Sequence, residues 1–144
     1  MPALTPAAVR KQIEAGNVDP IYLLQGEDDV EKSALAHEFE ELVEEGLRGF
    51  NVDRIHAGEV RTGDDLAAKV GDVVTAVRTL PMMVPRRVVL VFQADALLVP
   101  KRESEAATRA FDELETLVRN PEPQSVLVFV SASLDSNAAM PLSG

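Results

Sequence analysis

Cysteine is absent from all 144 residues, which excludes disulfides, thiolate nucleophiles and cysteine-held zinc. Tryptophan is absent too, and a single tyrosine and five phenylalanines offer few rings on which single-stranded bases could stack. Only two histidines, His37 and His56, are present, too few for a histidine-built metal cluster. No apolar run approaches the roughly 18 to 20 residues that span a bilayer, and Met1 to Arg10 lack the basic-then-apolar pattern of a signal peptide. These absences predict a cytoplasmic protein with no membrane partner. Positive charge is scarce as well: 14 Lys and Arg face 24 Asp and Glu, a net charge of −10 that repels phosphate backbones. Direct nucleic-acid binding is therefore disfavoured, and a protein partner fits better.

What is present is enough apolar material, 46% of residues, for one buried core. Thr5-Pro6 reads as a helix start and Gly16 as its stop, with Val9 and Ile13 facing inward. "IYLLQ" after Pro20, "RRVVLVF" (86 to 92) and "SVLVFVSAS" (125 to 133) are apolar without alternation, as strands covered on both faces are. "NVDRIHAG" (51 to 58) is more polar and suits a sheet edge. Helical spacing predicts one long helix from Asp28 or Asp29 to about Leu47, a second through Leu66, Val70, Val73, Val74 and Val77, and a third through Ala107, Phe111, Leu114 and Val118. "TGDD" (62 to 65) reads as a capping motif for the second of these. Strands alternating with helices call for an α/β fold, a mostly parallel sheet of four strands with helices on both faces. "LDSNAAMPLSG" carries no such pattern, so we expect a domain over 1–134 and a truncated tail over 135–144.

"GEDDVEKS", between the first strand and its helix, matches the phosphate-loop template G-x-x-x-x-G-K-[ST] at Gly26, Lys32 and Ser33, while Glu31 stands where the second glycine belongs. The location suits an anion, but the composition does not. One carboxylate about 4 Å from a phosphate charge costs on the order of 4 kcal/mol at an effective dielectric near 20, roughly a thousandfold in affinity. Glu27, Asp28 and Asp29 add further negative charge, and Lys32 and Ser33 read equally well as ordinary surface positions. "VVLVFQAD" ends in Phe92 and Gln93 rather than in a magnesium-holding carboxylate, with Asp95 displaced. No cofactor, metal or catalytic residue is expected. The alternative is a nucleotide-binding domain or a phosphoacceptor domain of receiver type, the latter with the acidic loop as a magnesium site and Asp95 as acceptor. Ser131 and Ser133 have no histidine partner, His37 reads as solvated beside Glu41, and His56 as a strand surface residue.

"RTLPMMVPRR" (78 to 87) sets Leu80, Met82, Met83 and Val84 in a stretch that two prolines keep out of regular structure. They form either a satellite core under the sheet's edge or an exposed anchor for a partner's apolar pocket. Arg86 and Arg87 read as solvated or carboxylate-paired surface charges.

Taken together, "PIYLLQGED", "TLPMMVPRRVVLV" and "LVRNPEPQSVLVFV" resemble the N-terminal module of the delta subunit of the bacterial DNA polymerase III clamp loader, over about residues 12 to 131. The resemblance implies an AAA+-like, three-layer sandwich of RecA/P-loop type, with a degenerate phosphate loop and no ATP hydrolysis. It implies a module that binds the ring-shaped sliding clamp (the beta subunit) and helps open it for loading on primed DNA. Other clamp-loader subunits would be met through lid and collar domains that this sequence lacks, and DNA only within the full complex. The family's clamp-binding Leu-Phe pair falls on Met82 and Met83, with Leu80 as a supporting contact. Replacing an aromatic anchor by a flexible thioether is the departure from the family pattern.

Overall fold

The computed structural model describes residues 5–26, 28–98 and 104–132; Glu27, Ser133 and the expected tail over 135–144 lie outside them. Four strands, β1 (Ile21–Gln25), β2 (Val52–His56), β3 (Arg87–Phe92) and β4 (Ser125–Ser131), form one sheet in the order β1-β4-β3-β2, and every pairing is parallel. The helices are α1 (Pro6–Ala15), α2 (Asp29–Phe39), α3 (Arg48–Asn51), α4 (Gly63–Arg78), α5 (Asp95–Leu98) and α6 (Glu105–Arg119).

The period of two along each strand sorts the core into two halves. Ile21, Val89, Val91, Leu127 and Phe129 point to one face, under α4 and α6. Tyr22, Leu24, Val88, Leu90, Val126, Val128 and Val130 point to the other, under α1 and α2. Burial on both faces is why β3 and β4 read as unbroken apolar runs, and the result is the expected three-layer sandwich. As expected, β2 is an edge strand, with His56 exposed and its ring stacked on Phe92, centroids 5.0 Å apart.

Local chemistry sets the helix ends. The Thr5 hydroxyl accepts from the Ala8 amide at 3.1 Å, and Gly16 closes α1 in the left-handed region at φ 70°. Thr62 and Asp65 form a reciprocal capping box on α4. Its aspartate carboxyl is held below its ordinary value, chiefly by the Arg61 and Thr62 amides.

One element departs from expectation. The helix predicted to reach Leu47 ends at Phe39 and continues as two 3-10 turns, Glu40–Leu42 and Glu45–Leu47, before α3. Spacing cannot reveal this, because Val43 is still buried against the same core although its backbone is extended. Arg48 holds the chain open there, donating from Nε to the carbonyls of Glu40 (3.0 Å) and Val43 (2.9 Å). Glu40 itself is buried and accepts from Arg54 on β2 and from His37, whose Nδ1 lies 3.0 Å away, so His37 pairs with Glu40 rather than Glu41.

Burial alone would raise the Glu40 carboxyl, but the hydrogen bonds from Arg54 and His37 outweigh it and hold it below its ordinary value. A carboxyl lowered in the folded state contributes stability above its unfolded value and loses it as pH falls through the folded one. Glu40→Gln should therefore destabilise the domain at neutral pH, with the difference from wild type shrinking in acid; urea midpoints along a pH series measure it.

Candidate functional site

Two candidate sites lie at opposite ends of the sheet, separated by the length of β3, about 20 Å for a six-residue strand. At the carboxyl ends of the strands is a cleft of about 490 Å³. Asp29, Lys32 and Ser33 line it from α2, Gln93 from just after β3, Asp95 from the start of α5, and Ser131 from β4. Open α/β sheets bind ligands at this end.

The side chains at that end close the site from within. The α2 helix begins at Asp29, three residues ahead of Lys32, so little loop remains to wrap a phosphate. The Asp28 carboxylate accepts the Glu31 amide at 2.9 Å and so takes the place an anion would hold at the helix start. Lys32 is not the surface residue its spacing suggests. Its side chain is 11% exposed, donates from Nζ to the Ser131 carbonyl at 2.8 Å and pairs with Asp29 at 3.1 Å.

Glu31 points away from the cleft and pairs with Arg10 of α1 at 2.8 Å. Charge against a phosphate comes instead from Asp29 and Asp95, which line the cleft. Gly26 sits at φ 131°, a conformation that favours glycine, and Ser33 is exposed. The receiver alternative fails on topology: in that fold β1 lies beside β3, whereas here β4 separates them. Among the described residues, no group of three or more His, Asp or Glu is gathered to hold a metal ion.

The second candidate site is the tip between α4 and β3, at the amino ends of the strands. Leu80, Met82 and Met83 are exposed, at 72%, 54% and 85%, so they are not a satellite core. Val84 alone of that run turns inward, packing on the core face of α1 and α2. Met83 holds φ 64°, which costs a non-glycine residue about 1–2 kcal/mol and persists only where its surroundings impose it.

Those surroundings are polar and come from the end of α3 and the starts of β3 and β4. Asn51, fully buried just before β2, donates from Nδ2 to the Met82 carbonyl (2.9 Å) and accepts the Met82 amide on Oδ1 (2.7 Å). Arg87, expected at the surface, is buried at the start of β3. It pairs with Asp53 and donates to the carbonyls of Phe50 (2.7 Å) and Ala76 (3.2 Å). The Ser125 hydroxyl of β4 donates to the Val77 carbonyl at 2.6 Å. Arg87 and Ser125 thus satisfy carbonyls in the last turn of α4 and fix where the tip leaves it. Arg86 donates to the Gly16 carbonyl at 3.1 Å.

The sequence reading missed two residues of this region. Phe50 is 60% exposed beside Asn51; its signal was a lone aromatic in "LRGFN". Asn51 gave no signal, because its partner lies 31 residues away.

The family model for the DNA polymerase III delta subunit matches residues 61–140, more than half of the chain. The chain belongs to the DNA polymerase III delta subunit family. The fold agrees: the Bacillus subtilis DNA clamp loader delta protein (YqeN) superposes with a TM-score of 0.67 at 22% identity, over 92% of this chain and 37% of that one. A DNA polymerase III gamma subunit-related protein from Thermotoga maritima superposes at 0.56 and 14% identity, over 86% of this chain and 39% of that one. The delta-type chain described here thus spans little more than a third of either structure, and its fold is the AAA+-like one of clamp-loader subunits. No curated protein matches by sequence. Among the described residues of this delta-family domain, no helix is long and apolar enough to cross a membrane.

Proposed function

We propose that this delta-family domain is a non-enzymatic docking module that binds the ring-shaped sliding clamp through Leu80, Met82 and Met83. In the whole loader it would help to open the ring for loading on primed DNA, joining the other subunits through domains beyond this chain. The observation that carries this reading is the tip: three large apolar side chains held out to solvent on a backbone fixed by buried polar groups. Flexible, polarisable methionines suit insertion into an apolar pocket. Family membership supports the replication setting. Support for a non-catalytic role comes from the cleft, where Asp28 caps the Glu31 amide and Lys32 is tied to β4.

Titrating the chain against the sliding clamp by calorimetry tests the proposal; saturable one-to-one binding is expected, and no heat at high micromolar concentration would contradict it. Phe50 should contribute at the rim. Phe50→Ala is expected to weaken clamp binding about fivefold, near 1 kcal/mol, while leaving the melting temperature unchanged because the ring is exposed.

A further inference from the structure

We propose that Asn51 is a positioning residue for clamp docking: its side-chain amide clasps the backbone of Met82 and presets the tip in its binding conformation. The inference rests on the docking role proposed above and adds a residue that touches no partner. An asparagine amide has two N–H donors and an acceptor oxygen. Here both donors are used, on the carbonyls of Leu47 and Met82 at 2.9 Å each, and the oxygen accepts the Met82 amide at 2.7 Å. The flipped amide would set oxygen against two carbonyl oxygens, so the network fixes the orientation.

The grip falls on one residue of a segment that no helix or strand holds, and the next residue, Met83, is the strained one. A two-point hold on Met82 is the kind of constraint such a conformation needs. Asn51 is itself fully buried; the chain before it is tied down by Arg48 and by the bond from Arg87 to the Phe50 carbonyl, and the chain after it by the pair of Arg87 with Asp53. The tip is thereby fastened to the β2 edge of the sheet. A tip already ordered loses less freedom on docking, so releasing it should lower affinity without removing any contact. Aspartate cannot replace this residue: it accepts the Met82 amide but offers no donor to the two carbonyls.

The first measurement needs neither variant nor clamp. Hydrogen exchange on the wild-type chain should find the Met82 amide protected well above its tip neighbours Met83 and Val84; an unprotected Met82 amide overturns the clasp. The second compares affinities. Asn51→Ala and Asn51→Asp should each weaken clamp binding roughly tenfold, with cooperative melting retained and the β3 and β4 amides still the slowest to exchange. In a chain already carrying Met82→Ala and Met83→Ala, adding Asn51→Ala should cause no further loss, which a general weakening of the fold would not reproduce. Wild-type affinity in a folded Asn51→Ala chain overturns the inference. Failure of the wild-type chain to bind the clamp would instead overturn the docking function, and the Met82 amide distinguishes the two results.

Discussion

Replacing Met82 and Met83 together by alanine should lower affinity for the sliding clamp at least a hundredfold. Each truncation removes three heavy atoms from a side chain now exposed to water, worth about 1.5–2 kcal/mol when buried in a partner's pocket. Two such losses come to roughly 3–4 kcal/mol, a hundredfold to nearly a thousandfold in the dissociation constant. The fold should not register the change. Neither side chain belongs to the core, and exposed substitutions of this kind stay within about 0.5 kcal/mol. A double variant that melts like wild type and binds the clamp as well as wild type would remove the tip from the interface.

The largest effect on stability is expected at Arg87. Replacement by alanine leaves the Phe50 carbonyl without its side-chain donor, leaves the Ala76 carbonyl with only the Thr79 amide at 3.3 Å, and deprives Asp53 of its partner. An orphaned buried acceptor costs about 1–3 kcal/mol, and Asp53 is exposed enough to recover part of its loss in water, so we expect about 2–4 kcal/mol in all. For a domain of this size that lowers the melting temperature by roughly 6–14 °C, measurable by differential scanning calorimetry. Arg87→Lys should recover little, since one ammonium cannot reproduce the guanidinium's spread of donors. A loss below about 1 kcal/mol would mean that water replaces Arg87 at these carbonyls.

Much of this fold was legible in the sequence because burial leaves a mark there. The β3 and β4 runs are apolar at every step since both faces are covered, and the α4 stripe from Leu66 to Val77 is continuous. The capping box of Thr62 and Asp65 is legible because its partners lie three residues apart. What could not be read depends on distant partners. Lys32 looks like a surface lysine until the fold brings the Ser131 carbonyl, 99 residues away, to its ammonium. Arg87 looks like a surface charge until Phe50 and Asp53 arrive from another segment. The break after Phe39 was hidden because Val43 keeps the apolar period while leaving the helix. At the tip, the residue types suited either burial or display, and only the fold separates inward Val84 from outward Met82 and Met83.

The two ends of the sheet therefore have different chemistry. At the carboxyl end, Asp28, Asp29 and Lys32 satisfy one another and the backbone where a nucleotide would need free amides and a free cation. At the amino end, buried Asn51 and Arg87 hold an apolar tip toward solvent. In the function proposed above, this delta-family domain works through the second end without help from the first. The most direct test is calorimetric titration of the chain into the sliding clamp, with and without magnesium-ATP. Saturable binding with one dissociation constant in both conditions is predicted; binding that appears only with nucleotide, or in neither condition, would contradict the account.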